Sequence, residues 1–355
     1  MRRRDFIRYL GLGSVAVTIP EAMHAVPAAA TTLCSDKKTK PISGSWFEFQ
    51  HSAAEGGYWN EALAHFTADQ WRRKVFEIRE VGMEYLVLMG VARAGKPFYP
   101  SKIAPRIPMG CDDPLEAVLS AADECGIKFF VSNDFWGDLD AYNMMLDKGV
   151  QTVRFQAMEE IAERYSHHAC FYGWYFPNEA MLKPYFVDAC VNYVNETAAF
   201  AQRLTPNCVN LIAPYFIKEA RFDDHFVRQL EKMNIDIIAY QDGVGVNHTS
   251  LEDSAKFYEI LYKAHEKACR ARLWADVELF YFEDGTGGNL LPADFGKRII
   301  RQLEAVSPYV DKVLCYQYLG IMNKPDTDIV AGHPDSIKLY EQYTEWYNHY
   351  QKKCE

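Results

Sequence analysis

Arg272-Leu273-Trp274-Ala275-Asp276-Val277-Glu278-Leu279-Phe280 alternates two kinds of surface. Side chains point to opposite faces along an extended chain, so Leu273, Ala275, Val277 and Leu279 share one face. That face is ready to meet a layer of helices. Trp274, Asp276 and Glu278 share the other face, with Glu278 nearest the end of the run. A carboxylate buried there is costly unless it has a partner or a task. The run therefore reads as a buried strand with reactive groups at its C-terminal end.

Seven more runs of the same kind precede and follow it. They cover residues 44–50, 84–90, 128–134, 171–179, 209–216, 236–242 and 312–319, with 272–280 as the seventh of eight. Most are rich in β-branched or aromatic residues, as buried parallel strands are. Their starts lie roughly 27 to 45 residues apart, a workable length for βα units that close a barrel. Helix start signals stand between them. Thr67 with Gln70 forms a capping-box pattern, and Asp113-Pro114-Leu115-Glu116 supplies a cap, a proline at the first helical position and an acid at the third. Pro292-Ala293-Asp294 and His333-Pro334-Asp335 open two more helices. Alternation of this kind implies a parallel sheet, and eight units favour closure over an open sheet. No GxGxxG or P-loop follows a strand, which weakens the open-sheet alternative further. The reading is an α/β fold, a (β/α)₈ TIM barrel, in one domain over residues 43–355.

The N-terminus reads differently. Arg3-Arg4-Asp5-Phe6-Ile7-Arg8, a mildly apolar segment after it and Ala28-Ala29-Ala30 resemble a twin-arginine export signal over residues 1–30, followed by a linker over 31–42. The expected location is periplasmic or extracellular in a bacterium. An amphipathic first helix is the alternative. Leu33 before Cys34 is too large for a lipidation box.

Composition narrows the function. The 355-residue chain carries a formal charge of -10, against the basic stripe that nucleic acid requires, and no stretch is long and apolar enough for a membrane span. Aromatics make up 14% of residues, and those not used in packing would suit sugar rings, whose C–H faces sit on aromatic planes. Nine cysteines form no CxxC or other close pair, so neither a metal nor a functional disulfide is expected.

In a barrel, catalytic groups come from the C-terminal ends of the strands. The fourth run ends Pro177-Asn178-Glu179 and the seventh supplies Glu278. An Asn-Glu pair closing strand four with a Glu closing strand seven resembles the retaining (β/α)₈ glycoside hydrolases of clan A. More narrowly, the chain looks like an uncharacterised bacterial barrel family grouped with glycosidases. The resemblance implies Glu179 as acid/base, Asn178 on the sugar 2-hydroxyl and Glu278 as nucleophile, with Tyr240 on strand six orienting Glu278. Two carboxylates suit the reaction, since the leaving oxygen needs a proton and the oxocarbenium-like carbon needs a nucleophile on its other side. Many clan members carry a tryptophan at the end of strand eight, where this chain has tyrosines, so the subsite for the cleaved sugar departs from the pattern.

Further candidates for contacting a carbohydrate are Glu48, which shares a face with Trp46 and Gln50, and Asn133, Trp174, Tyr215, Asp242, Trp274 and Tyr318. No cofactor is expected. The bland readings are a helix N-terminal acid for Glu179 and a salt bridge to Arg93 or Arg272 for Glu278. Two rival functions remain. One is a metal-dependent sugar isomerase or aldolase, with Glu179, Asp242, Glu278 and a histidine around a divalent ion. The other is a non-catalytic glycan-binding barrel. A serine or cysteine hydrolase lacks both a GxSxG elbow and a strand-end Cys-His pair.

Overall fold

In the computed structural model, residues 39–137 and 141–352 are described. The expected export signal, and all of the linker but its last four residues, lie outside them. Eight parallel strands close into a barrel: β1 (Gly44–Phe47), β2 (Tyr85–Leu88), β3 (Lys128–Ser132), β4 (Phe171–Tyr175), β5 (Val209–Ile212), β6 (Ile237–Gln241), β7 (Arg272–Glu278) and β8 (Val313–Tyr316). Neighbours pair in chain order, and β8 returns to β1 through Gly44 opposite Leu314. The strands are shorter than the apolar runs because the last residues of each run bend into the loops of the mouth. The strand of the seventh run, β7, loses only the last two residues of its run and carries its acid inside the ladder, with Glu278 opposite Tyr316.

The helices that follow are α1 (Ala68–Glu80), α2 (Pro114–Cys125), α3 (Lys148–Tyr165), α4 (Asp188–Leu204), α5 (Asp224–Lys232), α6 (Leu251–Ala268), α7 (Ile300–Val306) and α8 (Asp335–Lys352). Their start signals work as the residue types demand. Thr67 and Gln70 make the reciprocal capping box of α1, and Asp113 accepts the Glu116 N–H at 3.0 Å before Pro114 opens α2. Asp294 caps a π-helical turn, Phe295–Ile299, that runs into α7.

Two apolar layers hold the barrel. The interior is filled by Trp46, Tyr85, Val87, Phe130, Tyr175, Leu211, Ile237, Ala239, Trp274 and Leu314. Trp274 packs edge-on to Tyr85 at 5.0 Å and to Phe130 at 6.2 Å, so the barrel is a packed core rather than a pore. A larger layer lies between the outer strand faces and the helices. Fully burying one such large side chain contributes about 1.5–3 kcal/mol. One irregularity matters for the site. The β3–β4 register slips between Phe129 and Phe130, which pair with Phe171 and Gly173, so Tyr172 is an extra residue. A bulge of this kind re-aims every side chain after it.

Candidate active site

Glu278 ends β7 on the inner face and is 3% exposed. Its Oε2 accepts the Val246 N–H at 2.8 Å, from the loop after β6. Gly245 allows that approach: a Cβ there would collide with the Phe280 carbonyl and lie 3.0 Å from Glu278 Oε2. The backbone of Glu278 is held as firmly as its carboxylate. Arg298 donates to the carbonyls of Glu278 at 2.8 Å and Phe280 at 2.6 Å, and Gln302 donates to the Glu278 carbonyl at 3.2 Å. Asp242 completes the clamp. Its Oδ1 accepts the N–H groups of Val244 (3.2 Å) and Glu278 (3.3 Å), and its Oδ2 accepts Gln302 Nε2 at 2.6 Å. Burial raises the Asp242 carboxyl pKa, against those hydrogen bonds, and burial lowers that of Arg298.

Glu179 sits in the loop beyond β4 and is partly exposed. Its loop is fixed on both sides. Tyr215 donates its N–H to the Ala180 carbonyl at 3.1 Å, and its carbonyl accepts from Leu182 at 3.0 Å. Asn178 is buried and donates Nδ2 to Asp134 Oδ2 at 2.7 Å, while Asp134 forms a fully buried ion pair with Arg154 of α3. The next helix, α4, starts only at Asp188, so Glu179 is not a helix-terminal acid. The Tyr175 hydroxyl is held well above its ordinary pKa by burial first, then by the charge of Glu179, with Asp276 adding to it.

A third carboxylate closes the mouth on the β1 and β8 side. Glu48 accepts from His51 Nδ1 (2.9 Å), Trp59 Nε1 (3.2 Å) and Gln317 Nε2 (2.6 Å), and the Tyr316 hydroxyl lies 3.3 Å from His51 Nδ1. Glu48 thereby acts as the hub that orients His51 and Gln317.

Glu179, Glu278, Asn178, Glu48 and Tyr215 thus gather around the C-terminal ends of the strands. Six other candidates do not, and each needs correction. Tyr240 faces the helices, where its hydroxyl meets His265 Nε2 of α6 at 3.0 Å, so it is not beside Glu278. Asp242 shares that outer phase and is consumed by the clamp behind β7. The bulge turns Trp174 outward, where its Nε1 donates to Thr205 at 2.9 Å. Asn133 points at Met158 of α3. Tyr318 turns outward to Glu77 of α1, at 2.7 Å. Trp274 faces inward as expected but lies in the packed interior below the mouth, 1% exposed. Arg272 begins β7 and so stands at the strand end opposite Glu278.

Sequence reasoning missed Arg298, Gln302, His51 and the Val246 N–H. Only His51 lies beside a strand-end run. Arg298 and Gln302 sit on a helix with no local sign that they reach back to β7. The carboxylates of the isomerase reading do not converge, because Asp242 lies outside the barrel. Among the described residues, His, Cys, Asp and Glu side chains cluster closely enough for an ion only on the outer wall, around His168.

Solved structures share this (β/α)₈ fold. A Bacteroides thetaiotaomicron structure described as a "putative alpha-L-fucosidase" superposes with a TM-score of 0.67 at 15% identity, covering 92% of this chain and 99% of its own. The endo-1,4-beta-mannanase of Rhizomucor miehei superposes with a TM-score of 0.55 at 10% identity, covering 89% and 97%. In sequence, mannan endo-1,4-beta-mannosidase F of Aspergillus clavatus is 30% identical over 106 residues. That match covers 26% of this chain and spans only 24% of the relative's length. No helix among the described residues is long and apolar enough to cross a membrane. Over residues 42–328 the sequence matches the family described as "Domain of unknown function (DUF4434)", and the chain belongs to that family.

Proposed function

We propose that this chain is an exported retaining glycoside hydrolase with Glu179 as acid/base and Glu278 as nucleophile. The observation that carries the reading is the clamp on Glu278. A buried carboxylate at the end of β7 has its backbone gripped by Asp242, Arg298 and Gln302, and one oxygen fixed by the Val246 N–H. Such fixation is costly to assemble around an idle acid and suits a nucleophile that must meet one carbon in one orientation.

In the first step Glu179 gives its proton to the glycosidic oxygen as Glu278 attacks the anomeric carbon from the opposite side. The aglycone leaves as an alcohol and the sugar remains as an ester on Glu278. Glu179, now a carboxylate, takes a proton from water, whose oxygen attacks the same carbon and releases Glu278. Asn178, fixed by its bond to Asp134 beside Glu179, serves the sugar 2-hydroxyl. Tyr215, beside the Glu179 loop, and Tyr316, beside His51, offer aromatic rims for the sugar. Export rests on the Arg3-Arg4 signal.

The names of two of the similar proteins make β-1,4-mannan the first substrate to try, before other β-linked glycans. The test follows product stereochemistry by NMR during turnover. Net retention is expected, with Glu179→Ala slowing turnover about 10²- to 10⁴-fold. Inversion, or hydrolysis that survives loss of both glutamates, would defeat the assignment. Binding of glycan without turnover by the unaltered chain would make this a binding barrel instead.

A further inference from the structure

Away from the mouth, histidines and carboxylates converge where α2 packs against the turn leading from α3 into β4. His168 is buried and His167 exposed, their ring centroids 4.3 Å apart. His168 Nδ1 lies 2.7 Å from Asp123 Oδ2, and the other oxygen of Asp123 accepts the Cys170 N–H at 2.6 Å. His168 Nε2 lies 3.2 Å from Glu116 Oε2, while Ser120 donates to Glu116 Oε1 at 2.9 Å. One ligand atom each from Glu116, His167 and His168 fall within 4.8 Å of one another.

This arrangement has two shells. An imidazole that binds an ion through one nitrogen characteristically gives its other N–H to a carboxylate, which fixes the tautomer and raises the basicity of the ligand. Asp123 occupies that place for Nδ1, and so Nε2 is presented towards Glu116 and His167. Two imidazoles and one carboxylate form a donor set suited to zinc, with remaining positions for water. We propose that Glu116, His167 and His168 bind a divalent ion of the zinc class on the outer wall of the barrel, with Asp123 as the orienting group.

The ion would tie α2 to the α3–β4 turn. His168 precedes the first residue of β4, so the site lies towards the strand ends opposite the mouth and takes no part in chemistry there. Asp123, His168 and Cys170 form an overlapping set. Cys170 is the poorer ligand. Its buried Sγ contacts the Leu119 carbonyl at 3.3 Å, and burial pushes the thiol away from the thiolate that metal binding needs. The competing account is a charge cluster with no ion. Burial alone would lower the His168 pKa, but hydrogen bonds to Asp123 and Glu116 outweigh it and hold the ring above its ordinary value.

The experiment titrates the untagged, chelator-stripped full chain with zinc chloride against a chromophoric chelator, and records melting curves with and without zinc. One equivalent should bind and raise the melting temperature. His167→Ala and Glu116→Gln should each weaken binding at least about 10-fold, and Asp123→Asn about 10- to 100-fold. Cys170→Ser should leave affinity unchanged. His167 is exposed, so His167→Ala tests the ion without endangering the fold, and its zinc-free melt should match that of the unaltered chain. Two results would overturn the proposal: zinc uptake no greater than that of a His167→Ala/Glu116→Gln double variant, or binding lost with Cys170→Ser but kept with His167→Ala. Glycan turnover should not change in any of these variants, so this test stands apart from that of Glu179 and Glu278.

Discussion

Strands β6 and β7 are hydrogen-bonded neighbours, yet their polar residues have opposite fates. Tyr240 pairs with Ala275 and Gln241 with Asp276, so Tyr240 shares the outer face while Gln241 and Asp276 look inward. On the inner side of β7 the acids reach the mouth. On the outer side of β6, Tyr240 and, just past the strand, Asp242 are spent on His265 and Gln302. Asp242 Oδ1 accepts the Glu278 N–H at 3.3 Å, so one hydrogen bond joins the two acids. The phase of one strand nevertheless divides them into support and reaction. What a buried acid does depends on which side of the ladder it leaves.

The hardest test of that division is a pair of variants. Glu278→Gln should lose about 10³-fold or more in turnover, about 4 kcal/mol of barrier, with little change in melting temperature. Asp242→Ala should instead destabilise the fold by about 3 kcal/mol, because Gln302 and two backbone N–H groups lose their acceptor in a dry site. Activity and thermal melts measured together decide it; the reverse pattern would break the division.

Next in size is a pH effect on the outer side alone. His265 Nδ1 faces the Ala271 carbonyl at 2.9 Å, so it carries the hydrogen, and Nε2 accepts from Tyr240. Burial pushes its pKa down to about 4, against the Ala271 carbonyl. The unfolded ring takes up its proton near its ordinary value, so the folded state binds fewer protons between the two. Stability from this group is therefore complete above about pH 6.5 and declines as pH falls towards 4, by on the order of 3 kcal/mol. Denaturant melts at pH 7 and pH 4.5 should show that loss, and His265→Gln should reduce it. An unaltered slope would mean that the ring is not buried as a neutral partner of Tyr240.

The smallest effect is the sharpest discriminator of phase. Tyr240→Phe removes one buried hydrogen bond and should cost about 1 kcal/mol of stability. Turnover should stay within about two-fold. A 100-fold fall in turnover would restore Tyr240 to the nucleophile and refute the outward placement.

The contrast also marks where sequence is informative. In β7 the acids alternate with Leu273, Ala275, Val277 and Leu279, so the residues themselves reveal the phase. In β6, Ile237-Ile238-Ala239-Tyr240 is apolar on both faces, because a parallel barrel strand is buried on both. Nothing in those residues says which face Tyr240 takes. The expectation for Trp174 fails for a related reason, since the extra residue in the β4 bulge shifts the phase without leaving a sign in composition.

The sequence by itself determined the eight βα units, the caps at Thr67 and Asp113, and the arrival of Glu179 and Glu278 at the ends of the fourth and seventh runs. These are local properties, set by side-chain period, by helix-end hydrogen bonds and by where an acid falls in an apolar run. Tertiary structure alone decided that Arg298 and Gln302 reach back to grip Glu278, that Glu48 gathers His51 and Gln317, and that Asp123, Glu116 and the two histidines meet on the outer wall. Apart from the local Glu48–His51 pair, those contacts join residues 20 or more apart in the chain, and only the packing of the barrel brings them within hydrogen-bonding distance.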